Sequence, residues 1–151
     1  MAGNILLKGY TASAADALTT ELDSLADGNC TALGSEIANG TNLDIFIDFE
    51  INLASVTISS TSAYLTVYLV PALNGTDYPD WGSSAYANYN AQYAVGAIAV
   101  KNVSAAAARA VLTGIPLPPG DWKPAVRNMT GATLAASGNT LKYRTYAGSY
   151  T

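Results

Sequence analysis

Residues 43–53 read LDIFIDFEINL, in which Leu43, Ile45, Ile47, Phe49, Ile51 and Leu53 alternate with Asp44, Phe46, Asp48, Glu50 and Asn52. Strict period-two alternation over this length marks a half-buried β-strand and is a pattern no helix shares. Burying six such apolar side chains is worth roughly 1.5–3 kcal/mol each. That fixes the register, because a slip of one residue would carry Asp48 and Glu50 into the core.

The same pattern continues on either side. In residues 63–70, Leu65, Val67 and Leu69 share one face and Tyr64, Thr66, Tyr68 and Val70 the other, with Pro71 closing the run. The polar link Ser59-Ser60-Thr61-Ser62 makes the two runs read as a long hairpin. Shorter strands are expected at 94–100, 109–115, 122–128 and 141–146, separated by the stiff turn PLPPG at 116–120 and a Gly/Ser/Asn-rich loop at 129–140. Upstream, residues 13–27 read as a helix, with Ser13 and Asp16 as a capping box, Leu18, Leu22 and Leu25 at helical spacing, and Gly28 as the stop. The alternative for this segment is an arm that orders only against a partner. Many short strands with little helix predict a mainly β chain, an antiparallel β-sandwich of jelly-roll type with a short N-terminal helix or arm. Residues 1–41 hold the arm or helix and the first strand region, and residues 42–151 the sandwich.

Composition narrows the chemistry. The chain has 151 residues, enough for one domain with a real core; half are hydrophobic and only 12% charged, with a net charge of −4. An acidic chain has no electrostatic footprint for nucleic acid or for an anionic membrane. With no histidine and a single cysteine, His–Cys zinc sites, His-based nucleophilic catalysis and an internal disulfide are all excluded. Cys30 reads as a buried structural cysteine. The first ten residues, MAGNILLKGY, hold too short an apolar run for a signal-peptide core, and no window approaches a membrane span. Five Asn-x-Ser/Thr sequons, at Asn29, Asn39, Asn74, Asn102 and Asn128, read as by-products of an Asn/Ser/Thr-rich composition. Asp77 with Asp80, and Asp44, Asp48 and Glu50 along one strand, do not match a calcium-loop spacing. No catalytic, cofactor-binding or metal-ligating residue is expected.

Two features point to binding instead. Through Asp80 the chain carries one base, Lys8, against ten acids, whereas from Trp81 onward six bases face a single acid, Asp121. Arg109, Lys123, Arg127, Lys142 and Arg144 all fall on expected strands. They can pair across strands within one sheet, or they can form a basic side that meets the acidic side of a neighbouring copy; a nucleic-acid patch is the weakest reading. Residues 74–93, NGTDYPDWGSSAYANYNAQY, lack periodicity and hold Tyr78, Trp81, Tyr86, Tyr89 and Tyr93. Such rings bury area while keeping a polar tip, as at protein interfaces and sugar platforms. Alternatively, the loop folds back over its own sheet. With Tyr64 and Tyr68 on the outward face of the second run, these tyrosines, Trp81 and the five bases are the candidate interface.

Three runs carry a resemblance: TNLDIFIDFEINL (41–53), AYLTVYLVPALNGTDYPD (63–80) and RAVLTGIPLPPGDWKPAVRNMTGATLAASGNTLKYRTY (109–146). They resemble virion proteins encoded in structural-gene clusters of tailed bacteriophages, over residues 42–146. The most specific parts are VYLVPALNGTDYPD and the ending that opens on LPPGDW and closes on SGNTLKY. The resemblance implies a β-sandwich capsid decoration (cement) protein made in the bacterial cytoplasm. It would bind the outer capsid surface and stabilise the shell, with the major capsid protein and further copies of itself as partners. No catalytic residue belongs to it. Related sandwiches in tails and fibres imply the alternative, a receptor- or glycan-binding module. If the N-terminal segment is the docking arm, deleting residues 1–27 should abolish particle binding and leave the sandwich folded.

Overall fold

A computed structural model describes residues 5–7, 10, 13–82 and 91–150. Its strands are β1 (Ile5–Leu7), β2 (Ala15–Leu18), β3 (Ile37–Ala38), β4 (Phe46–Ile58), β5 (Tyr64–Ala72), β6 (Ala94–Ala99), β7 (Val103–Pro116), β8 (Asp121–Met129), β9 (Thr140–Tyr146) and β10 (Gly148–Tyr150). Pairing is nested and antiparallel: β5 with β6, β4 with β7, β3 with β8, β2 with β9, and β1 with β10. The chain is thus one long double ribbon. Rolling it up lays β9 beside β4 and β8 beside β5, which closes two four-stranded sheets, β2-β9-β4-β7 and β3-β8-β5-β6. This is the jelly-roll arrangement, and the sandwich is as expected.

The core lies between the sheets. Ile47, Phe49, Ile51 and Leu53 of β4 and Leu141 of β9 pack in one cluster with Leu65, Val67 and Leu69 of β5, Ile98 of β6 and Val126 of β8. The alternation therefore assigned faces correctly in both long runs. It did not assign partners. β4 and β5 are central strands of different sheets, so residues 59–63 form an arch across the sandwich and not the turn of a hairpin. The sheets of a sandwich stand about 10 Å apart, a gap that this five-residue link can span. The first strand also starts later than the alternation implied: Leu43 is 53% exposed and Ile45 47% exposed. β4 instead runs on to Ile58, past a register shift between Leu53 and Val56 that interrupts the period.

No helix occupies residues 13–27. Ala15–Leu18 is a strand against β9, followed by a single 3-10 turn, Thr20–Leu22. Ala17, Leu18, Leu22 and Leu25 are buried in the main core cluster. The leucine spacing is satisfied by an edge strand and a tight turn because the side of β9 away from β4 offers pairing and burial that an isolated short helix lacks. β3 likewise pairs with β8, so the sandwich already begins inside residues 1–41.

Buried asparagines tie the loops. Asn128 donates to the carbonyls of Leu25 (2.8 Å) and Ala132 (2.7 Å) and accepts from Thr130. Asn139 donates to the Ala135 carbonyl and to Asp23 and accepts from the Ala54 amide. Asn39 both accepts from the Asp44 amide and donates to the Asp44 carbonyl, each at 2.8 Å. Asn39 and Asn128, two of the five sequon asparagines, are 1% and 0% exposed, so neither could carry a glycan in the folded chain.

Two outcomes follow. Removing residues 1–27 takes away β2 and four core side chains, so the shortened chain is expected to lose its cooperative urea transition, measured by circular dichroism. Asn128→Ala removes the hydrogen bonds to the Leu25 and Ala132 carbonyls and takes the acceptor from the buried Thr130 amide, and should cost about 3 kcal/mol. That loss would be read as a lower urea midpoint at unchanged slope.

Candidate interaction surfaces

The outward face of the sheet β2-β9-β4-β7 holds the acids of the first half of the chain against the bases of the second. Register places Asp48 opposite Arg144 and Glu50 opposite Lys142, and Asn52 opposite Arg109. Arg109 reaches Glu50 at 2.9 Å, and Lys142 reaches Asp16 at 3.4 Å. On this sheet Arg109, Lys142 and Arg144 thus face acids across strands. The paired side chains are 32–68% exposed, so each pair is worth only a few tenths of a kcal/mol. Hydrogen bonds from Asn52 and Arg109 hold the Glu50 carboxyl below its ordinary range, with help from the charges of Arg109 and Lys142. That contribution is present at neutral pH and disappears as pH falls through the lowered value.

At the start of β4 this face becomes aromatic. Tyr10 donates to the Asp48 carboxylate at 2.7 Å, meets the Tyr146 ring edge-on with centroids 5.7 Å apart, and lies under the Arg144 guanidinium at 5.0 Å. Phe46 stacks on Tyr146 with centroids 5.3 Å apart. Tyr10, Asp48, Glu50, Arg109, Lys142 and Arg144 line an open depression of about 390 Å³. Nothing in the sequence signalled Tyr10, since its partners lie 38 and more residues away.

Lys123 and Arg127 are on the other sheet. Lys123 sits 4.5 Å over the Tyr78 ring, and Arg127 donates to the Gly28 carbonyl at 3.1 Å. The five bases are therefore divided between the two outer faces. Tyr78 donates to Glu36 at 2.9 Å, and Trp81 donates its indole N–H to the Thr31 carbonyl at 2.8 Å. The Trp81 ring meets Tyr68 with centroids 5.2 Å apart. Tyr68, Val70, Ala72, Ala125 and Cys30 are buried but outside the main core cluster, forming a thin second layer. The described part of the aromatic loop thus folds back over its own sheet. Burial raises the Cys30 thiol, and burial together with Glu36 raises Tyr78. Tyr68 is 2% exposed and Tyr64 38%, while Tyr93 ends the 3-10 turn Ala91–Tyr93 half-buried. Tyr86 and Tyr89 lie outside the described residues.

At one end of the sandwich, aliphatic side chains stand exposed among polar loop residues. Residues 39–45, 73–77 and 117–120 lie at the same end of the sandwich, where Phe46 opposes Pro116 and Ala72 opposes Asp121. Here Leu43, Ile45 and Leu73 stand out, Leu73 being 93% exposed. Leu43 adopts a left-handed backbone (φ 51°), uncommon for a bulky residue, in a loop that Asn39 clamps at Asp44. Its alternation with Ile47 hid this role. The opposite end, with Ser59, Ser60 and Asn102, is polar.

Among the described residues no cluster of three or more acids and cysteine could hold a metal ion, and no helix is long and apolar enough to cross a membrane. No protein-family model matches the chain, and no curated protein matches it.

The Asp48 hydrogen bond raises the Tyr10 hydroxyl above the ordinary tyrosine value. A raised value means that the contact stabilises the fold below the ordinary pKa and is lost as pH rises through the raised one. Asp48→Asn should bring Tyr10 back toward the ordinary value, measured by NMR titration of Cζ-labelled tyrosine, with Tyr143 as an internal control raised by burial alone.

Proposed function

We propose that this protein is a structural component of a tailed-phage virion, a decoration protein bound in many copies to the outer surface of the capsid. Its partners on this reading are the major capsid protein and further copies of itself. Three lines of support converge. The runs at 41–53, 63–80 and 109–146 resemble phage virion proteins. The jelly roll is a fold that viral capsid domains use. The observation that carries the reading is the aliphatic end: Leu43, Ile45 and Leu73 are held in solvent, one of them in a strained backbone, with a buried asparagine fixing the loop. Exposed aliphatic side chains on rigid loops gain free energy only by entering a partner's apolar pocket. A protein that binds the assembled shell and not the free subunits stabilises the shell by mass action.

The lectin use of the same fold and the open depression beside Tyr10 favour a second reading, a glycan-binding module of a tail or fibre. Trp81 is a poor stacking platform for it, because its ring packs on Tyr68 and its N–H is already bonded.

Quantitative mass spectrometry of purified particles separates the readings. Hundreds of copies per particle are expected; a dozen or fewer would favour the tail, and absence would overturn both. In co-sedimentation with shells, the double variant Leu43→Ser, Leu73→Ser should bind at least about tenfold more weakly. Its urea midpoint should move little, since Leu73 is almost fully exposed and Leu43 is half-exposed.

A further inference from the structure

Strand β7 is 14 residues long and stands at the edge of its sheet. One side of its backbone pairs with β4, and the other side has no strand partner among the described residues. Proteins usually blunt such edges with lysines, prolines or inward charges, because a row of unpaired N–H and C=O groups is a template for another strand. β7 carries a single charge, Arg109, which is turned back onto Glu50 of the neighbouring strand. Its interruptions lie toward the two ends. At one, Ala105 has φ 45° and gives its N–H to the Thr57 hydroxyl. At the other, Gly114 has φ 72° and gives its N–H to the Asp48 carboxylate. Between them the register with β4 is unbroken from Ala108, opposite Leu53, to Leu112, opposite Phe49.

From this we infer that the β7 edge is the contact between two copies of this chain, paired antiparallel about a two-fold axis at Ala110. An edge identical in both partners is complementary to itself only in the antiparallel sense, which a two-fold axis generates. The axis must pass through a residue position, because opposed residues share a face. Centring on Arg109 would set two guanidinium groups against each other. Centring on Ala110 uses the whole unbroken stretch and sets Arg109 of each copy opposite Val111 of the other. Val111 is 59% exposed in the single chain, and the Arg109 stem would cover it. Glu50 lies beside Val111 on β4 and Lys142 beside Glu50 on β9. The outward row then runs Lys142, Glu50, Val111 and Arg109 of the second copy, bringing its positive charge toward an acid. The contact is short, so association is weak and concentration-dependent. It does not depend on the virion reading.

Sedimentation equilibrium of the full chain over roughly 10 µM to 1 mM tests this. A monomer–dimer equilibrium is expected. Val111→Lys, at a solvent-facing position, should leave the circular dichroism spectrum and urea midpoint unchanged and weaken the dimer about tenfold or more by opposing Arg109 of the other copy. Adding Arg109→Glu to that variant restores opposite charges across the contact and should recover the dimer. A chain that stays monomeric throughout, or a dimer indifferent to Val111→Lys, overturns the β7 contact. Failure of the double variant to recover overturns the Ala110 register.

Discussion

β4 cannot slide by one residue. Its inward row, Ile47, Phe49, Ile51 and Leu53, is 0–2% exposed, and a slip would exchange that row for Asp48 and Glu50. Two unpaired carboxylates in a core would cost several kcal/mol each, far more than any surface contact in the molecule supplies. β4 is also the strand that β7 and β9 both pair with, so its register sets theirs. The meeting of Asp48 with Arg144 and of Glu50 with Lys142 is a consequence of packing. The charges decorate a register that the core imposes.

The same constraint explains what could be read from the chain and what could not. Alternation reports which face a side chain takes, and it did so for β4 and β5 without error along their middles. It is silent on which strand lies alongside, so two runs joined by four polar residues looked like a hairpin while belonging to different sheets. It also fails where the backbone leaves the sheet plane. Leu43 and Ile45 keep the parity of the core row but project beyond the end of the sandwich, and the bulge after Leu53 conceals the last turns of β4. In residues 13–27, leucines at helical spacing were compatible with a strand plus a 3-10 turn once β9 was available to pair. The aromatic loop shows the same dependence on distant partners: Trp81 is fixed by Thr31, 50 residues earlier, and by Tyr68 beneath it.

Polar groups inside this protein act mainly on backbone. Asn39, Asn128 and Asn139 each accept from a backbone amide, of Asp44, Thr130 and Ala54 in turn, and Asp48 and Thr57 do the same at the two bulges of β7. At Asn39 and Asn128 the Asn-x-Ser/Thr pattern coincides with a device for closing loops without regular hydrogen bonding. This matters for function because loops held so firmly can keep apolar side chains in water. A mobile loop would fold Leu43 back onto the sandwich; one pinned at Asp44 by two hydrogen bonds cannot.

The molecule therefore has two kinds of unsatisfied surface, set at right angles. The loop end offers aliphatic side chains and asks for an apolar socket, which a copy of the polar opposite end does not provide. The β7 edge offers backbone hydrogen bonds and asks only for an extended strand of matching register, which another copy provides without any change in sequence. Because a two-fold axis at β7 would run perpendicular to the strands, across the sheet, two paired copies would lie antiparallel in the sheet plane. Their aliphatic ends would then point in opposite directions along it. Such a pair cannot set both ends on one flat surface with the strands upright, but it can lie with its sheet along a surface and reach a socket on either side. If both proposed contacts form, edge pairing and docking of both ends would be compatible only with the strands running along the partner surface, which makes the orientation of β4 relative to that surface the geometric quantity on which both contacts would depend.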